Sequence, residues 1–190
     1  MRRSLLVAAL ALVPAALSAQ QGPYYGMAPT PPPKPVSFQA WGGMTIPLMY
    51  NYYSAVNVDD IGWTAGGSLI YRPNSRMHAR VEGEYHYVGT SGGSGAALYG
   101  GGIGGGRAIS QGTAATEGFF MAGLYNVGVC VANLTSTGCD ETSELQFGTK
   151  LGANFVAGRG KVRPMLGFGW LYTWSYPYVS AITITGGLRF

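Results

Sequence analysis

The sequence predicts an all-β protein: eight antiparallel strands wound up and down into a closed transmembrane β-barrel. Three observations carry that expectation. Apolar and polar residues alternate with a period of two in segment after segment, which is the period of a strand. Charged residues make up only 11% of the 190-residue chain while hydrophobic residues reach 47%. A soluble domain carries about 25% charge, so part of this surface meets something other than water. The apolar faces are also wide and aromatic, too bulky for the inside of a small barrel, and so belong on its outside.

The first residues have a separate explanation. Arg2 and Arg3 precede an apolar run from Leu5 to Leu17, followed by Ser18 and Ala19, which is the order of a secretory signal peptide over residues 1–19. The run is too short for a membrane-spanning helix of about 20 residues. Residues 20–35 are rich in proline, which suits neither a helix interior nor a central strand, and are expected to form an extended periplasmic leader. The barrel domain is then residues 36–190.

Within it the segment from Met77 to Val88 is the clearest strand. Met77, Ala79, Val81, Gly83, Tyr85 and Tyr87 alternate with His78, Arg80, Glu82, Glu84 and His86. In water such a strand would turn its ionisable face to solvent; in a membrane barrel the same face lines the lumen. Three companions share the pattern. Ile61 to Tyr71 sets Trp63, Ala65, Leu69 and Tyr71 against Thr64, Ser68 and Arg72, with Ile70 out of step. Leu145, Phe147, Leu151 and Phe155 oppose Gln146, Lys150 and Asn154, and Leu166, Phe168, Trp170, Tyr172 and Trp174 oppose Arg163, Gly167, Gly169 and Thr173. At the end of the chain Ile182, Ile184, Leu188 and Phe190 oppose Thr183, Thr185 and Arg189. Segments 36–46, 97–108 and 118–129 complete the eight, the latter two with their inward face left open by the pattern.

Residues 72–76, 110–117 and 158–161 become short periplasmic turns, and residues 47–60, 89–95, 130–143 and 175–179 become outer loops. Trp63, Tyr87, Tyr172 and Trp174 on one side and Phe38, Tyr71, Phe155 and Phe190 on the other are expected to form two interfacial girdles. Cys130 and Cys139 fall in an exported chain's loop, where a disulfide is expected over two free thiols; no neighbouring His or Cys pair suggests a metal. Once Arg2 and Arg3 are set aside the basic excess nearly vanishes and no basic cluster remains, so nucleic acid is not an expected partner. The glycine run from Gly100 to Gly105 lacks the following helix of a dinucleotide site and reads as a tightly curved strand.

Arg72, His78, Arg80, Glu82, Glu84, His86, Lys150, Arg163 and Arg189 all fall on inward faces. Eight strands enclose a space that side chains just fill, and charges there must be paired. A packed charge network that plugs the barrel is therefore the expectation, ahead of a narrow passage for ions or small solutes. Catalysis comes last: His86 is the one histidine near a rim, with Ser91, Asp59 or Asp60 as conceivable partners.

With its terminal Phe190 and Leu188, its signal peptide, its eight strands and their alternation, the segment from Val36 to Phe190 resembles the small OmpA-like and OmpX-like outer-membrane barrels of the porin family. No segment resembles the peptidoglycan-binding domain of full-length OmpA, so anchoring of that kind is not expected. Lipid A deacylases of similar size carry an H-x-S-N stretch, whereas Tyr87-Val88-Gly89 follow His86 here. The resemblance implies residence in the outer membrane of a Gram-negative cell envelope and insertion by the barrel-assembly machinery, with Phe190 and Leu188 in the assembly signal. It implies contact with lipid and lipopolysaccharide, a monomer, and no enzyme activity, catalytic residue, cofactor or metal. An extracellular partner would meet loops 47–60 and 130–143, where Tyr50, Tyr52 and Tyr53 stand beside Asn51 and Asn57.

Overall fold

A computed structural model describes residues 35–51, 61–89, 95–132, 139–175 and 178–190. These form eight strands in chain order: β1 (Val36–Asn51), β2 (Gly62–Tyr71), β3 (Met77–Gly89), β4 (Gly95–Ser110), β5 (Ala114–Ala132), β6 (Cys139–Ala157), β7 (Arg163–Thr173) and β8 (Tyr178–Arg189). Each pairs antiparallel with its chain neighbours, and β8 returns to β1 to close the barrel. Following the ladder from Val36 through Tyr71, Ala79, Gly105, Phe120, Leu151, Trp170 and Ile182 leads back to Ile46, ten residues further along β1. That stagger over eight strands tilts them by about 40° and sets the backbone roughly 8 Å from the axis, a bore that side chains fill.

The polarity is that of an inside-out protein. Leu69, Val81, Ile103, Leu124, Phe147 and Phe168 are among many large apolar side chains left exposed on the outer wall, while Arg80, Glu82, Glu84 and Lys150 are buried within. Aromatic contacts gather at the two ends. Trp63 meets Tyr85 at 5.1 Å and Tyr172 meets Trp174 at 5.1 Å at the loop end, and Phe38 meets Phe190 at 6.2 Å at the short-turn end. Indole N–H groups on this face find partners within the wall: Trp170 Nε1 donates to Ser180 Oγ at 2.9 Å.

Several boundaries differ from the sequence expectation. β5 and β6 have 19 residues each and pair from Ala114 opposite Ala157 to Ala132 opposite Cys139, so most of the segment read as loop 130–143 is ladder. Val129, Val131 and Thr142 favour extended backbone, and a paired hairpin continues whatever surrounds it. The turn read over 110–117 tightens to residues 111–113 around Gly112 at φ 119°, which carries Glu117 into the wall. Gly158 at φ 91° performs the same service between β6 and β7. β1 runs through Pro47 to Asn51 against β8, with a register shift between Pro47 and Met49, since proline has no N–H to donate. β8 begins at Tyr178, inside the segment read as loop 175–179. The two open frames are also settled: Ala96 and Leu98 of β4 and Glu117, Phe119, Met121, Tyr125 and Val127 of β5 face inward.

Candidate functional site

The lumen is built in three layers. At the short-turn end Glu117 on β5 gathers two guanidinium groups. Arg189 meets it with Nη1 at 2.8 Å from Oε1 and Nη2 at 2.5 Å from Oε2, and Arg72 Nη2 donates to Oε1 at 2.8 Å. A two-pronged pair of this kind fixes geometry as well as charge. Arg72 also donates to Ser37 Oγ at 2.8 Å, and the Gln39 amide, with its oxygen turned toward Arg189, accepts from Nε at 2.6 Å. Arg163 stands directly across the ladder from Arg189 and donates to the Val156 carbonyl at 3.3 Å. His78 is buried beside this group.

The middle layer centres on Lys150 from β6. Its Nζ lies 2.5 Å from Glu82 Oε1 and 2.5 Å from Glu84 Oε2, both on β3. Arg80 clamps the far side of Glu82, Nε to Oε2 at 2.7 Å, and Tyr125 donates its hydroxyl to Glu84 Oε1 at 3.2 Å. The cations are also stacked on rings: the Arg80 guanidinium lies 4.2 Å from the centre of Phe119 and 5.6 Å from that of Trp41. Each carboxylate therefore has a cation and a second partner, the condition under which burying such charge is tolerable.

Inward aromatic rings fit because glycines on facing strands make room for them. A Cβ on Gly66 would stand 2.7 Å from the Trp41 ring and one on Gly148 2.7 Å from the Tyr125 ring, while one on Gly152 would run into Phe119. The expectation that bulky rings lie on the outer wall thus has exceptions in Trp41, Phe119 and Tyr125, the last two in a segment whose frame the pattern left open.

Above the charges, toward the loop end, Leu98, Tyr125, Val127, Leu171 and Val179 form an apolar plug. The sequence expectation contained neither this plug nor Glu117. Small spaces interrupt the filling, among them one of about 20 Å³ between His86 and the plug residues Leu98, Val127 and Leu171 and one of about 10 Å³ beside Arg80 and Lys150. Each has room for roughly one water.

His86 lies under the plug rather than at the rim. Its Nδ1 is 3.1 Å from Thr45 Oγ1 and its Nε2 is 3.2 Å from Glu84 Oε2. A hydroxyl, an imidazole and a carboxylate in sequence is the arrangement of a nucleophilic hydrolase. Here the imidazole is 2% exposed and faces the 20 Å³ space, which admits no lipid or peptide. Ser91, Asp59 and Asp60 lie outside the described residues, as do residues 52–60 and 133–138 of the two long loops. Cys130 stands opposite Glu141 and Cys139 opposite Ala132, two rungs apart in the ladder; their side chains lie outside what is described. Phe190 and Leu188 are exposed on the outer wall. Among the described residues no cluster of metal-ligating side chains occurs.

No family model matches the chain, and no curated protein does. Solved structures do match in fold. The attachment invasion locus protein Ail of Yersinia pestis is similar at 14% identity and TM-score 0.56, over 83% of this chain and 99% of that one. Neisserial surface protein A is similar at 15% identity and TM-score 0.57, over 82% and 96%. A major outer membrane protein of Thermus thermophilus is similar at 10% identity and TM-score 0.53, over 82% and 98%. The chain has the fold of the small eight-stranded bacterial outer-membrane barrels.

Proposed function

We propose that the chain is a bacterial outer-membrane barrel that acts as a structural or surface-interaction protein and neither conducts solutes nor catalyses a reaction. The observation that carries this is the combination of an exposed apolar outer wall with a lumen closed twice, by the Lys150, Glu82 and Glu84 layer and by the plug of Leu98, Val127 and Leu171. A wall of exposed Leu, Phe and Trp requires lipid around it, and a filled lumen leaves the ends of the barrel as the surfaces that meet partners. Of the barrels of similar fold, one is named an attachment invasion locus protein and another a surface protein.

On this reading residues 1–19 direct export and residues 20–35 lie in the periplasm. The barrel-assembly machinery then inserts residues 36–190 with Phe190 and Leu188 in its recognition signal, and the product is a monomer. A bridge between Cys130 and Cys139 would tie the β5–β6 hairpin where it leaves the membrane, and the loops over 47–60 and 130–143 would meet lipopolysaccharide or an extracellular partner.

The test is solute release from vesicles carrying the refolded protein. Retention of ions and small sugars at the level of empty vesicles, together with a heat-dependent shift in gel mobility, supports the reading. Graded release by solute size replaces it with a narrow channel. A mature chain that stays soluble without detergent removes the membrane reading altogether.

A further inference from the structure

Resting on that membrane reading, we propose that the rim at the short-turn end is a binding surface for the phosphate headgroups of anionic phospholipids. The charges of this barrel are separated along its axis. By position along the strands, Arg76, Arg107, Arg159 and Lys161 fall at the short-turn end, whereas Asp140, Glu141 and Glu144 fall at the loop end. The Glu117 carboxylate, at the short-turn end, is already taken inside the lumen by Arg72 and Arg189.

Arg107 decides what kind of partner fits. It alternates with Ile103, Gly105 and Ile109 on the outer face of β4 and stands across the ladder from Met77. Ile109 is 73% and Met77 59% exposed, so this guanidinium emerges from the lower edge of the apolar wall, where lipid is the neighbour. A long cationic side chain in that position reaches along the wall to the headgroup level, and an anionic lipid phosphate is the group that meets it there. Tyr71 and Phe155, exposed at the same end, mark the interfacial depth.

The rim is also held as one arc. The Ala108 N–H donates to the Arg76 carbonyl at 2.7 Å, Gln111 Nε2 to the Ser75 carbonyl at 2.5 Å, and the Gly158 N–H to the Thr113 carbonyl at 2.7 Å. Asn74 Oδ1 accepts from the N–H groups of Arg76 and Met77, fixing the first turn. Tying the turns together sets the spacing of Arg76, Arg107 and Lys161, so several phosphates are met at once without ordering a loop first.

The experiment places the refolded barrel in nanodiscs of equal phosphatidylglycerol and phosphatidylcholine and measures, by native mass spectrometry, the lipids that stay bound. We expect phosphatidylglycerol to be retained over phosphatidylcholine by roughly fivefold or more. Combined Arg76→Gln, Arg107→Gln and Lys161→Gln should bring the ratio to parity while the heat-dependent gel shift persists. Arg107→Gln alone, a surface change, should lower it if the triple variant does not refold. Equal retention by the parent protein, or a preference that survives the substitutions, overturns the proposal. In a second set of nanodiscs that also contains lipid A, a preference for lipid A over phosphatidylglycerol that the substitutions leave intact does so too, because it moves phosphate recognition to the loop end. Failure to enter any bilayer overturns the membrane reading itself, and this proposal with it.

Discussion

Lys150 reaches Glu84 at 2.5 Å across the lumen, from β6 to β3, two strands that share no ladder. The contact ties opposite walls together, and both partners are buried. Lys150→Met should therefore leave Glu84 as uncompensated charge, Glu82 keeping Arg80, and cost about 3–5 kcal/mol. Adding Glu84→Gln should recover much of the loss, because Glu82 keeps its pair with Arg80 and the carboxylate that lost its cation is then neutral. Denaturant unfolding in detergent micelles reads both steps; equal stability of the single variant and the parent would show that the lysine is not paired there.

The two closures of the lumen predict a conditional phenotype. Leu98→Ala and Leu171→Ala each remove buried methyl groups from the plug and should cost about 2–5 kcal/mol, yet vesicles carrying them should stay tight because the Lys150 layer remains. Combining the two plug substitutions with the neutralised layer should allow release of small ions. Release from the plug variants alone would mean that the charged layer is no barrier.

Gly148 and Tyr125 supply a test of how the inward rings are accommodated. A Cβ at Gly148 would stand 2.7 Å from the Tyr125 ring, so Gly148→Ala should destabilise the barrel by about 1–3 kcal/mol. In a Tyr125→Leu background the same substitution should cost less, and the difference is the coupling between the two sites. An additive double variant would show that the ring does not depend on that glycine.

The same pair shows where the sequence stops being legible. The alternation of Met77 to Val88 is complete, so the inward set from His78 to His86 can be read residue by residue. Tyr125 cannot be read that way, because the room it occupies is made by Gly148 on the next strand, and that pairing is visible only once the register is known. Glu117 was hidden for a local reason: it follows a Gly-Thr-Ala-Ala-Thr stretch that looks like a turn, and only the tight bend at Gly112 puts it in the wall. The ends of β5 and β6 were hidden because polar residues such as Thr142 and Ser143 pair as readily beyond a membrane as loops form there. Ile70, the exception to its strand's alternation, is 0% exposed, since a lumen lined by charge still needs apolar filling between its layers.

Phe190 allows assembly to be separated from stability. In the folded barrel its ring lies 6.2 Å from that of Phe38 on the outer wall, and its N–H donates to the Phe38 carbonyl at 2.9 Å. The backbone bond survives any side-chain change, and an aromatic pair contributes about 0.5–1.5 kcal/mol. Phe190→Ala refolded from denaturant should thus unfold within about 1.5 kcal/mol of the parent. If Phe190 and Leu188 belong to the assembly signal, the same variant expressed in cells should reach the outer membrane at a severalfold lower level, because recognition acts before the barrel's own contacts exist. Equal levels in cells would remove the assembly role from Phe190. A stability loss in vitro much larger than the ring contact explains would instead place its effect in the closing of β8 on β1.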